Sequence, residues 1–97
     1  MNFTDLKRKQ ELEDLKEYCI NYINRQYGLK NDYIKKTKIT KNGLFVYGHK
    51  VYAPYYNEVY TIYTFISWYD SNDYEYITNM LDHFVLDCKR LNEYKGK

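Results

Sequence analysis

The stretch Lys38-Ile39-Thr40-Lys41-Asn42-Gly43-Leu44-Phe45-Val46 decides the fold. Asn-Gly between two runs of alternating apolar and polar residues is the strongest short-range hairpin signal, because a type I′ turn needs positive φ at both central positions. The segment from Asp32 to Tyr52 therefore reads as a β-hairpin. A two-residue Asn42-Gly43 loop would pair Lys41 with Leu44, Ile39 with Val46, Lys35 with Lys50 and Tyr33 with Tyr52, bringing two lysines face to face.

Downstream, Ala53-Pro54-Tyr55-Tyr56-Asn57 interrupts the sheet, since proline cannot donate to a ladder and asparagine suits a turn. Glu58 to Trp68 is rich in β-branched and aromatic residues and reads as a third strand. Its two faces, Val59, Thr61, Tyr63, Phe65 and Tyr60, Ile62, Thr64, Ile66, Trp68, are both largely apolar, so both should be at least partly covered. Asp70-Ser71-Asn72-Asp73 then ends the strand, and Asn72 with Glu75 resembles a capping box. Ile77, Met80, Leu81, Phe84, Cys88 and Leu91 follow at helical spacing, predicting a helix to about Tyr94.

Upstream, Leu12, Leu15, Cys19, Tyr22, Ile23 and Tyr27 mark one stripe of an amphipathic helix. Thr4 suits its N-cap and Gly28 the left-handed residue that closes it. The order is thus α-β-β-β-α, an α+β fold in which a three-stranded antiparallel sheet packs against two amphipathic helices. With 97 residues the chain is expected to form a single domain over 1–97. If both helices cover one sheet face, the second face is free for a partner or for a homodimer.

Fourteen tyrosines, four phenylalanines and one tryptophan against one proline and four glycines describe a folded chain. The charged N-terminus lacks the apolar run of a signal peptide or membrane span, so a cytoplasmic protein is expected, with no membrane partner. Cys19 and Cys88 fall on predicted helix faces and read as reduced core residues. They and His49 and His83 lack zinc-site spacing, so no metal is expected. Gly28, Gly43, Gly48 and Gly96 are isolated and form no phosphate loop, and Ser67 and Ser71 lack a nucleophile-elbow context. No enzyme and no cofactor are expected.

Charge is segregated although the net value is only +2. Residues 1–50 hold eleven basic and six acidic side chains, whereas 51–88 hold six acidic and none basic. The basic half concentrates in the hairpin, where Lys35, Lys36, Lys38, Lys41 and Lys50 are candidates for phosphate contacts by a nucleic-acid-binding regulator. The plainer function of such lysines is to keep an edge strand from pairing. The acidic half coincides with Tyr52, Tyr55, Tyr56, Tyr60, Tyr63, Tyr69, Tyr74 and Tyr76, half of which are expected to be exposed. Tyrosine supplies large contact area with few rotatable bonds. Tyr55, Tyr56, Tyr69, Asp70, Asp73, Tyr74, Glu75 and Asp82 are therefore the candidate protein-binding residues, with the carboxylates placed to compete for a nuclease's phosphate groove.

The short α-β-β-β-α order, the Lys/Asn/Tyr/Ile-rich composition, the missing active site and the acidic tyrosine segment from Tyr52 to Asp87 together resemble the small inhibitors carried by phages and mobile elements of low-GC bacteria, among which anti-CRISPR proteins are nearest. That resemblance implies a non-enzymatic inhibitor acting in the host cytoplasm. Its partner would be a host protein such as a CRISPR effector nuclease, whose DNA access or activation it blocks.

Overall fold

The computed structural model describes residues 3–96, with side chains from Asp5 onward. Helix α1 (Phe3–Tyr27) is followed by strands β1 (Lys36–Thr40), β2 (Gly43–Ala53) and β3 (Glu58–Ser67), a 3-10 turn at Trp68–Asp70, and helix α2 (Tyr74–Arg90). The strands form one antiparallel sheet in the order β1-β2-β3. The α+β architecture read from the sequence is the one observed. No helix among the described residues is long and apolar enough to cross a membrane.

Both helices lie on the same side of the sheet. Leu12, Leu15, Cys19 and Ile23 of α1 and Ile77, Leu81, Phe84, Val85 and Cys88 of α2 form one cluster with Leu44, Val46, Val51, Ile62 and Ile66 of the strands. A second clamp holds the helices together: the Asp82 carboxylate accepts hydrogen bonds from the Tyr22 hydroxyl at 2.9 Å and the Tyr27 hydroxyl at 2.8 Å. Burial, reinforced by that carboxylate, pushes the Tyr27 phenol up to about 12 and raises that of Tyr22. Cys19 and Cys88 are buried free thiols. Desolvation pushes them up to about 12 and about 11, where a thiol is unreactive at neutral pH.

Several local expectations are corrected. The hairpin turns on Lys41-Asn42, and the register pairs Thr40 with Gly43, Ile39 with Leu44 and Lys36 with Tyr47. Lys35 therefore does not face Lys50. None of Lys41, Asn42 and Gly43 has the positive φ of a type I′ turn. Gly43 is needed for a different reason: a Cβ there would collide with the Ile66 carbonyl oxygen and come within 2.7 Å of the Phe65 ring. The true register differs from the expected one by two residues, an even number, so side chains keep their faces up to Tyr47.

Helix α1 starts at Phe3, which places Thr4 inside its first turn. Gly28 has φ 100° and closes the helix as expected. The cap of α2 is Asp73, whose carboxylate accepts from the Tyr76 N–H at 3.1 Å, one residue later than Asn72. That helix ends at Arg90, short of Tyr94, because the tail leaves it to bind the sheet: the Tyr94 N–H donates to the Lys50 carbonyl at 2.7 Å. All eight tyrosines between Tyr52 and Tyr76 are exposed rather than half of them, since aliphatic residues supply the core.

Candidate functional site: the open face of the sheet

Directly opposed residues in an antiparallel sheet share a face. The pairings therefore define two rows across the side away from the helices: Lys38, Phe45 and Phe65, then Lys36, Tyr47 and Tyr63. The four rings form one continuous cluster. Phe45 and Phe65 have centroids 4.6 Å apart, Phe45 and Tyr47 lie 5.7 Å apart with planes within 8°, and Tyr47 and Tyr63 are 6.3 Å apart. Tyr63 is 59% exposed, and the other three are half-buried.

A bulge extends this face. Between Tyr47 and Lys50 strand β2 advances three residues while β3 advances two, from Tyr63 to Thr61. One extra residue on one strand reverses the alternation beyond it. Lys50, which strict alternation from Val46 would turn toward the core, is opposite Thr61 on the open side, and Val51 takes the core position. Gly48 makes the bulge possible, because a Cβ there would lie 2.9 Å from the Cys88 sulfur and 3.2 Å from the Phe84 ring. His49 is fixed by its Nε2 hydrogen bond to the Leu91 carbonyl at 2.7 Å.

The resulting open face carries Lys36, Lys38 and Lys50 beside four rings, with Thr40, Thr61 and Ser67 between and no carboxylate from any strand. Salt bridges among the described residues join Lys16 with Glu13 and Lys35 with Asp32, and neither engages Lys36, Lys38 or Lys50. Of the five candidate nucleic-acid lysines, the structure thus gathers three. Lys35 sits at the sheet edge, held by Asp32 at 3.2 Å, and Lys41 occupies the hairpin turn beside Arg8, whose Nη1 donates to the Lys41 carbonyl at 3.1 Å.

The eight candidate protein-binding residues fall in three places. Tyr55 and Tyr56, 94% and 74% exposed, form the β2–β3 turn. Tyr69, Asp70, Asp73, Tyr74 and Glu75 lie beyond the opposite end of β3, about 30 Å away at 3.3 Å per residue. Asp82 is engaged by two tyrosines between the helices, and Asp73 caps α2. The structure brings the eight together on no single surface.

Phe45, Tyr47 and Phe65 were not singled out from the sequence. Their signal was aromatic residues at matching parity on adjacent strands, together with the break in alternation from Val46 to Val51 around Gly48. Among the described residues no group of three or more His, Cys, Asp or Glu is gathered as for a metal ion. No protein-family model, curated protein or solved structure matches this chain.

Proposed function

We propose that the open sheet face binds a single-stranded nucleic acid, with bases stacking on the rings of Phe45, Tyr47, Tyr63 and Phe65 and phosphates held by Lys36, Lys38 and Lys50. The observation that carries this reading is the juxtaposition of four clustered rings and three lysines on a strand surface free of carboxylates. Aromatic platforms favour single strands because a duplex hides its base faces, and each stack contributes about 1–3 kcal/mol with little sequence preference. Three phosphate contacts give a log–log salt slope of about −2. No chemistry is performed in this reading; the protein acts by occupying or protecting the strand.

An inhibitor of a host nucleic-acid enzyme, which the resemblance implies, would have to use surfaces about 30 Å apart if it drew on both tyrosine clusters. It keeps the Tyr69–Glu75 end alone as a compact surface.

Fluorescence anisotropy with labelled DNA and RNA oligonucleotides separates the two. Tyr63→Ala and Lys36→Glu should each weaken binding about tenfold, while Tyr63→Phe, which keeps the ring, should bind as the parent does. Absence of oligonucleotide binding, or capture of a CRISPR effector nuclease that is lost on Tyr69→Ala and Glu75→Lys, would overturn the strand-binding reading in favour of the protein partner. A dimer in light scattering that dissociates on Tyr63→Ala would overturn it in favour of a second copy on this face.

A further inference from the structure

The bulge does more than turn Lys50 outward: it opens a groove of about 480 Å³ at one end of the ring cluster, lined by Lys35, Lys36, Tyr47, His49, Lys50 and Glu93, among others. Lys36 and Lys50, together with Lys35, which is paired with Asp32, line it beside the Tyr47 ring. The groove is closed on its far side by the C-terminal tail. Tyr94 is bonded to the Lys50 carbonyl, its ring stacks on Tyr52 at 6.1 Å, and Glu93 presents a carboxylate at the rim.

These features select a particular phosphate. A strand lying over Phe45, Phe65, Tyr47 and Tyr63 reaches the lysine groove and then meets the C-terminal tail, bonded through the Tyr94 N–H to the Lys50 carbonyl, in the path of a further nucleotide. A terminal phosphate monoester, with a charge of about −1.5 to −2 at neutral pH, gains more from Lys36 and Lys50, which no salt bridge among the described residues engages, than an internal diester does. The wall is held in place, because His49 is bonded to the Leu91 carbonyl and Tyr94 to the Lys50 carbonyl.

Building on the strand-binding reading of the open face, we infer that the Lys35–Lys36–Lys50 groove is an end-recognition site for the phosphate monoester at a strand terminus. It would make the protein a binder of phosphorylated ends rather than of continuous strands.

The test uses the full chain and one oligonucleotide sequence prepared in three forms: 5′-phosphorylated, 3′-phosphorylated, and with hydroxyls at both ends. One phosphorylated form should bind about tenfold tighter than the hydroxyl form, and Lys50→Ala, which also removes a phosphate contact of the strand-binding face, should erase that preference by weakening the phosphorylated form about tenfold more than the hydroxyl form. Lys7→Ala on α1 is the control and should retain the preference. Equal affinity for all three forms would overturn end recognition while leaving strand binding intact. No binding of any form would overturn both readings. A preference that survives both Lys50→Ala and Lys36→Ala would place end recognition elsewhere and overturn this assignment.

Discussion

The two faces of the sheet are built from alternate residues of the same strands, yet they differ in almost every physical respect. On one side Leu44, Val46, Ile62 and Ile66 are at most 4% exposed and share one core cluster with residues of both helices. On the other, Phe45, Tyr47, Tyr63 and Phe65 are as large or larger, and they pack against one another on the side away from the helices. An antiparallel sheet with one covered face ordinarily alternates apolar inside with polar outside. Here the covered face makes the fold, and the uncovered face keeps apolar area that folding does not bury. On the proposed reading, flat rings surrounded by lysines and hydroxyls suit a ligand that itself has faces and negative charge.

The sharpest way to break this contrast is to truncate neighbours on one strand. Ile62→Ala should cost about 2–5 kcal/mol in urea denaturation, because it leaves a cavity in a packed core. Tyr63→Ala, one residue along, should cost less than about 1 kcal/mol while weakening oligonucleotide binding. Equal losses of stability would show that the two faces are not functionally distinct. Gly43→Ala should come next, at about 1–3 kcal/mol, since the new methyl group must push β3's Ile66 carbonyl and the Phe65 ring away from β2.

The helix clamp adds a pH test confined to the covered side. The Tyr27 phenol is raised in the folded state from 10.0 to about 12, so the folded protein holds that proton more tightly than the unfolded chain. The associated stability is fully present below pH 10 and is lost as pH rises toward 12. Asp82→Asn removes the carboxylate's share of the shift and should move Tyr27 ionisation, followed by tyrosinate absorbance, to lower pH. The smallest effect belongs to Arg8, whose guanidinium lies 3.9 Å from the Trp68 ring centroid. Arg8→Ala should cost about 0.5–1 kcal/mol and leave oligonucleotide binding unaltered, because it sits off the open face.

Most of the architecture was legible because each element carried its own period: the α1 stripe through Leu12, Leu15, Cys19 and Ile23, the α2 stripe through Ile77, Leu81, Phe84 and Cys88, and the alternation of the strands. The hairpin was visible, but its register was not. Asn42-Gly43 satisfies the local rule for a type I′ turn, whereas the tertiary demand on Gly43 is room for the Ile66 carbonyl of a strand more than twenty positions away. The bulge was hidden for a similar reason, since a glycine needed for the Cys88 and Phe84 side chains is set by a helix that local pattern does not reach. The site was half legible. Lysine clustering offered Lys35, Lys36, Lys38, Lys41 and Lys50, of which three share the proposed face, while the rings they flank became a group only when register aligned Phe45 with Phe65 and Tyr47 with Tyr63. The acidic tyrosine segment looked like one surface because it is continuous in sequence, but an extended strand carries its two ends far apart.

The most direct test of the strand-binding claim is an NMR titration of the isotope-labelled protein with an unlabelled single-stranded oligonucleotide, followed through backbone amides and aromatic ring protons. Shifts concentrated on Lys36, Lys38, Phe45, Tyr47, Lys50, Tyr63 and Phe65, with Leu44, Ile62 and Ile66 perturbed only through the backbone and the Tyr69–Glu75 segment unmoved, are the predicted result. Shifts confined to Tyr69–Glu75, or none at saturating oligonucleotide, would contradict it.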